Sequence, residues 1–495
     1  MENRTRTTTV GQLPTPESGT SRVPTVLTKV VWLLWALSCG ALAVRLRTGD
    51  GWEIAGLANV DGLTVVMWVT VAFFSGIVHS YSRRYMAGRP TIDRFFGGVF
   101  AFTLVVMVLV AADSFLLFGA AWLAMGLVMA DLIGHVEGWT QAQAAASIAR
   151  RYFLASSASL AVALATLWWH TGATTVSGVA SAVETPSSTV VLFAAGALLL
   201  AAMVQSALLP FHTWLLSSMT APTPASALMH AGFVNAGGVL LARFAPVVTV
   251  DSGFMLLIVL VGAASALGGK LLKTVQTDVK GTLGCSTVGQ MGFMIMQAGL
   301  GFFGAAITHL VLHGFYKAYQ FLASGSRVAH KSPANAKPTG SIGAAGVAVI
   351  AVTALAAGGL FAALTGKGTG LDSGLLLALL VVLTVLHAAR EIVTRAALPA
   401  AVRYGAVPLV ALPALAVYAA VYRVIDGLLA GLPAVGQSAA LTPAHGLVAV
   451  AFLVAYLAIE RGVYERSHRL YVALLNATRP PTETLLTSTE EYDEY

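Results

Sequence analysis

The stretch Gln205-Ser-Ala-Leu-Leu-Pro-Phe-His-Thr-Trp214, followed closely by Ala221-Pro-Thr-Pro224, decides how this chain is read. An apolar run leads into it and another leaves it, yet prolines interrupt the helical pattern between them. Proline inside a helix removes a backbone hydrogen bond and breaks the run. At membrane depth, broken backbone is tolerated only where protein or a water-filled cavity surrounds it. A discontinuous helix of this kind is the usual pointer to an ion path in a transporter. A second glycine-rich tract, Ala356-Ala357-Gly358-Gly359 with Gly366, Gly368 and Gly370 beyond it, reads as the corresponding break in a second half.

Composition places both tracts in a bilayer. Of 495 residues, 57% are hydrophobic and 10% charged, and the mean hydropathy is +0.78. Soluble domains carry about 25% charged residues, so a soluble enzyme, a coiled coil and a disordered chain are excluded. The expected fold is an all-α polytopic membrane protein with about fourteen transmembrane helices, each near the ~20 residues that cross a bilayer. The candidate spans are 25–46, 60–80, 95–111, 113–134, 151–170, 188–209, 223–248, 253–273, 280–300, 301–323, 341–365, 371–392, 402–425 and 443–462. The polar start, 1–24, reads as a disordered tail before a retained first helix.

Loop charge sets the orientation, because Lys and Arg concentrate on the cytoplasmic side. With the N-terminus inside, so are the loops bearing Arg83, Arg84, Arg89 and Arg94; Arg150 and Arg151; Lys273 and Lys280; Arg327, Lys331 and Lys337; and Arg390 and Arg395. The segment with Arg461, Arg466, Arg469 and Arg479 follows suit, whereas 171–187 and 426–441 contain no Lys or Arg. Both termini are expected in the cytoplasm, and the chain in the inner (plasma) membrane. The net charge of +7 is then loop charge and gives no reason to expect nucleic acid as a partner.

Ionisable groups inside the membrane cost about 2.5–3.5 kcal/mol on insertion scales, so each asks for a function. His309, His313 and Lys317 recur at intervals of four in Thr308-His-Leu-Val-Leu-His-Gly-Phe-Tyr-Lys317. That spacing puts them on one helical face, drifting by about 40° per step. Imidazole titrates near physiological pH, so such a file can relay protons. His212, at the first break, and His230, just after it, are expected to line the same path, and Lys270 to contribute to it. Asp61, Asp113, Asp278 and Gln205 are supporting positions, with Asp61 and Asp113 read as caps or cross-helix partners. The spacing of His309 and His313 resembles a zinc pair, but no third ligand accompanies it, and Cys39 and Cys285 form no cluster. No metal, no cofactor and no catalytic centre are expected in this chain.

The runs 205–232, 278–294 and 309–326, with Val60-Asp-Gly-Leu-Thr and His79-Ser-Tyr-Ser, resemble the antiporter-like subunits of respiratory NADH dehydrogenase and of multisubunit cation/proton antiporters. The resemblance covers roughly 55–330. It implies two inverted five-helix repeats, each with a discontinuous helix, here 95–248 and 253–392. They are flanked by N-terminal helices (25–94), C-terminal helices (402–462) and a cytoplasmic tail (463–495). The chain departs from the pumping members, with Trp122-Leu123 where they carry a glutamate after the tryptophan and Gln205 where they carry a lysine. The run 290–301 and the ending Arg469-Leu-Tyr-Val-Ala-Leu-Leu-Asn476 are similar to the DabB family, membrane subunits of two-component inorganic-carbon accumulation systems. That resemblance implies a cytoplasmic DabA-like zinc partner, related to β-carbonic anhydrases, whose CO2 hydration is driven by proton entry. The charged segment Glu460, Arg461, Arg466, His468 and Arg469 is a candidate docking site for it. The alternatives are a cation/proton antiporter or respiratory-complex subunit, and a non-conducting anchor.

Overall fold

The computed structural model describes residues 21–183, 188–327, 343–393, 399–436, 439–481 and 484. Most of the 1–24 tail, Lys331, Lys337, Arg395 and the acidic end at 490–494 lie outside the described residues.

The order of elements begins with α1 (Val23–Thr48), a hairpin of β1 (Trp52–Ile54) and β2 (Ala58–Val60), then α2 (Gly62–Tyr85), α3 (Ile92–Ala111), α4 (Phe115–Ile133) and α5 (Thr140–Thr171). It continues through α6 (Val176–Ala182), α7 (Thr189–Gln205), α8 (Thr213–Ser217), α9 (Thr223–Ala231), α10 (Ala236–Arg243), α11 (Ala245–Val248), α12 (Ser252–Thr274), α13 (Val279–Gly299) and α14 (Phe303–Leu322). The last part comprises α15 (Ala344–Thr365), α16 (Gly374–Val393), α17 (Ala400–Leu429), α18 (Pro443–Glu460), α19 (Val463–Arg466) and α20 (His468–Thr478).

Helix occupies every one of the fourteen expected stretches. Among the described residues, ten helical stretches are long and apolar enough to cross a membrane, and Thr189–Gln205 and Gly374–Arg390 are shorter apolar helices. The two long helices outside that set are α13 and α14, the second of which carries His309, His313 and Lys317. The only strands among the described residues, absent from the all-α expectation, form the small antiparallel hairpin turned at Gly56, whose φ is +68°.

Burial ranks the helices from centre to rim. The broken stretch Thr223–Arg243 is 94% buried and α2 78%, against 17% for α1 and 11% for α18. The interrupted helix is therefore the axis of the bundle, and the intact helices at either end of the chain form its outside. Between membrane helices, close approach through small residues replaces the hydrophobic effect as the source of packing energy. The α12/α13 contact shows this: a Cβ on Gly262, Gly269 or Gly292 would run into the opposing helix backbone.

One expectation fails. α15 runs without interruption through Gly358 and Gly359 and ends at Gly366 in the left-handed conformation, φ +71°. Glycine costs a helix only about 1 kcal/mol, against about 3 for proline, and no proline lies in this run. Gly358 instead makes room for Val382 of α16. α5 also begins well before the expected span, carrying Arg150 and Arg151 on helix rather than loop.

Candidate functional site

The break comes from the prolines, and side chains satisfy the backbone groups it frees. After α7 ends at Gln205, the chain passes through α8 and a 3-10 turn, Ser218–Thr220, before α9 begins with a proline in its first turn. The Trp214 indole donates to the Val204 carbonyl at 2.9 Å. The Ser265 hydroxyl accepts from the Leu209 N–H at 3.2 Å. Lys280 donates to the carbonyls of Met219 and Ala221, both at 3.0 Å. The sequence reads it as a charge of a cytoplasmic loop, but it closes the break. A second interruption, the 3-10 turn Phe233–Asn235, separates α9 from α10, and the Asn235 amide donates to the Ala231 carbonyl at 2.7 Å.

Against this axis lies α14, and the file of titratable groups is as the spacing predicts. The His309 and His313 rings lie nearly parallel with centroids 5.8 Å apart, and Phe293 flanks His309 at 5.3 Å. Lys317 is fully buried and donates to the Leu283 carbonyl of α13 at 2.8 Å. Gly314 lets α14 approach α9, because a Cβ there would meet Phe74 and the Ala231 carbonyl. That approach brings His230 within electrostatic reach of both Lys317 and His313. His230 hydrogen-bonds through Nδ1 to the Thr287 hydroxyl at 2.9 Å and stacks on Phe321. Four groups, from α9 and α14, thus form one buried cluster. His309 Nε2, both His313 nitrogens, His230 Nε2, Gln205 and the Asn235 amide oxygen are buried with no protein partner among the described residues. Buried polar atoms are normally satisfied, so this many orphans in one cluster sets it apart from ordinary packing.

The remaining site residues go elsewhere. His212 is buried, and its Nε2 donates to the Ala477 carbonyl of α20 at 2.9 Å. It therefore ties the C-terminal helix to the break. Lys270 contacts His387 at 2.7 Å. The acids are structural, as expected for Asp61 and Asp113. Asp61 caps α2 at Thr64 and pairs with Arg243, which also donates to the Thr64 hydroxyl and the Val110 carbonyl. Asp113 accepts from the Ser177 N–H and hydroxyl, at 2.8 and 2.6 Å. Asp278 caps α13 at Gly281.

Three features were not read as site residues from the sequence. His387 and Glu460 are hydrogen-bonded at 2.9 Å. Glu460 turns inward instead of offering itself for docking, its side chain 14% exposed and paired with Arg390. His79 is buried at 1% exposure and bonded to Ser75. Its four-residue spacing from Ser75 was available as a signal. Among the described residues no set of three or more His, Cys, Asp or Glu side chains is arranged to hold a metal ion.

Fold and site together define a polytopic helical membrane protein with a buried titratable file beside a broken helix. A family model described as NADH:quinone oxidoreductase/Mrp antiporter, TM, matches residues 111–343. A second, NADH-ubiquinone oxidoreductase (complex I), chain 5 N-terminus, matches 53–96. The probable inorganic carbon transporter subunit DabB1 of Halothiobacillus neapolitanus is 39% identical over 280 residues, 55% of this chain and 50% of that one. NADH-quinone oxidoreductase subunit L of Mycobacterium tuberculosis is 35% identical over 274 residues, 54% of this chain and 43% of that one. The solved Mrp complex from Dietzia sp. DQ12-45-1b contains a chain of the same fold, with a TM-score of 0.56 and 23% identity, covering 92% of this chain and 50% of that one. This chain spans about half the length of the curated relatives it matches. It is similar over the matched region to antiporter-like membrane proteins, and the relatives it matches include proteins named as DabB inorganic carbon transporter subunits.

Proposed function

We propose that this chain is the proton-conducting membrane subunit of an inorganic-carbon uptake complex, in which protons entering the cell drive CO2 hydration by a cytoplasmic partner of the DabA kind. The observation that carries the proposal is the buried file His309–His313–Lys317 beside His230. Each four-residue step along α14 is about 6 Å. Imidazole can accept a proton at one nitrogen and release one from the other, so the stacked rings pass charge towards Lys317. Lys317 then holds the proton near the end of α14, beside the first turns of α13.

The energy scale is adequate. One charge falling through 100 mV releases about 2.3 kcal/mol, and 1.4 kcal/mol is a factor of ten in an equilibrium. One proton per bicarbonate therefore biases hydration by tens-fold. Zinc, when bound in the partner, lowers the pKa of a water molecule and so supplies hydroxide for attack on CO2; this chain supplies the proton route and the dock. The orientation proposed has both termini in the cytoplasm of a cell whose inner membrane holds the complex. Residues 95–248 and 253–392 would form the two inverted repeats, of which the first carries the break.

The test is growth in air of cells lacking carbonic anhydrase that express this chain with its partner. Growth is expected with the parent and absent with Lys317→Ala or His313→Ala; growth unaffected by either substitution contradicts the proposal. A cation/proton antiporter or respiratory subunit is the second reading, favoured by the likeness to subunit L. It predicts proton movement that depends on Na+ or quinone. Leu123 and Gln205, standing where pumping members resembling this chain carry glutamate and lysine, speak against it.

A further inference from the structure

Away from the His313 cluster, three helices that are far apart in sequence bring their C-terminal ends together. Lys270 lies four residues before the end of α12, His387 six before the end of α16, and Glu460 is the last residue of α18. The Lys270 ammonium donates to His387 Nε2 at 2.7 Å, and His387 Nδ1–H donates to Glu460 Oε1 at 2.9 Å. The other carboxylate oxygen pairs with Arg390, and the Tyr456 ring stands edge-on to the imidazole at 6.4 Å. Side-chain exposure is 31% for His387 and 38% for Arg390, so the file opens towards water at its Arg390 end.

We propose that Lys270, His387 and Glu460 are a proton relay at the mouth of the path, delivering protons from the membrane interior to the surface where α12, α16 and α18 end. The inference rests on the proton-conducting reading and extends it to two residues outside the α14 file. The transfer balances as one proton. An N–H bond of Lys270 breaks as Nε2–H forms, Nδ1–H breaks, and O–H forms on Glu460. That leaves a neutral amine, a neutral imidazole of the other tautomer and a neutral acid. Arg390 favours the carboxylate form of Glu460, so the acid passes its proton on to water. Lys270 is recharged from the interior, and the imidazole, partly exposed, regains its first tautomer as water takes the proton from Nε2 and gives one to Nδ1. The same three contacts would serve as a clamp between helix ends, and the experiment separates a clamp from a relay.

The complex purified through a tag on the full chain is reconstituted into vesicles enclosing a pH-sensitive dye, and proton entry is driven by an imposed potential. Lys270→Arg keeps the charge and a donor but does not deprotonate, Glu460→Gln keeps an acceptor, and His387→Ala removes the bridge. Each is expected to slow proton entry by about tenfold or more, and added imidazole is expected to restore the His387→Ala variant in part. A clamp predicts that Lys270→Arg conducts normally and that imidazole restores nothing, and either result overturns the relay. If Lys317→Ala stops proton entry while His387→Ala runs at the parent rate, the relay falls and the conducting role stands. If the parent itself admits no protons, both fall.

Discussion

Lys317 is fully buried with its ammonium on the Leu283 carbonyl at 2.8 Å, and among the described residues no carboxylate pairs with it. A cation held by a carbonyl and surrounded by imidazoles is costly to the fold. Replacing such a charge with a side chain of similar volume is often neutral or stabilising. Lys317→Met is therefore expected to keep or raise stability, by up to about 3 kcal/mol on insertion scales, with the thermal unfolding midpoint in detergent unchanged or higher, while abolishing proton entry. A variant that unfolds readily would show that the ammonium supports the fold.

The Arg243–Asp61 pair works in the opposite sense. It is closed on both sides, with Arg243 also bonded to Thr64 and Val110 and its side chain 6% exposed. Removing one partner leaves the other buried and uncompensated, so Arg243→Ala is expected to cost about 3–5 kcal/mol. The check is the unfolding midpoint in detergent, and a change within measurement error would mean the pair contributes nothing.

Lys280 holds the break together through two carbonyls. Lys280→Met strands both, and unsatisfied buried groups cost about 1–3 kcal/mol each. Faster hydrogen exchange confined to 218–230 is the expected signature. Exchange unchanged in that segment would assign the carbonyls to other partners.

Much of the cluster on α14 was legible because helical spacing is local: His309, His313 and Lys317 share a face whatever the rest of the chain does. Position in the fold was not. Lys270 and His387 are 117 residues apart, and nothing in either neighbourhood names the other. Glu460 read as part of a charged tail because its sequence neighbours are charged; only the packing of α18 on α16 turns it inward. Lys280 read as a loop charge for the same reason. The supposed second break failed because glycine alone does not break a helix when a neighbouring side chain, here Val382, fills the space it leaves.

His212 links α8 to α20, and Leu474 of that helix packs on Leu216, Leu272 and Cys285. α20 is thus tied to the break by one hydrogen bond and one apolar contact. His212→Ala is expected to loosen α20 and to speed trypsin cleavage at Arg469 severalfold, since local opening governs such cleavage. Cleavage at the parent rate would show that apolar packing alone holds the helix.

The most direct measurement is proton entry into vesicles containing the intact complex, under an imposed inward-negative potential, with the parent compared to Lys317→Ala and His313→Ala. Rapid acidification in the parent, lost in both variants, is the expected result. Vesicles that stay as proton-tight as lipid alone while CO2 hydration still proceeds against its gradient would contradict it.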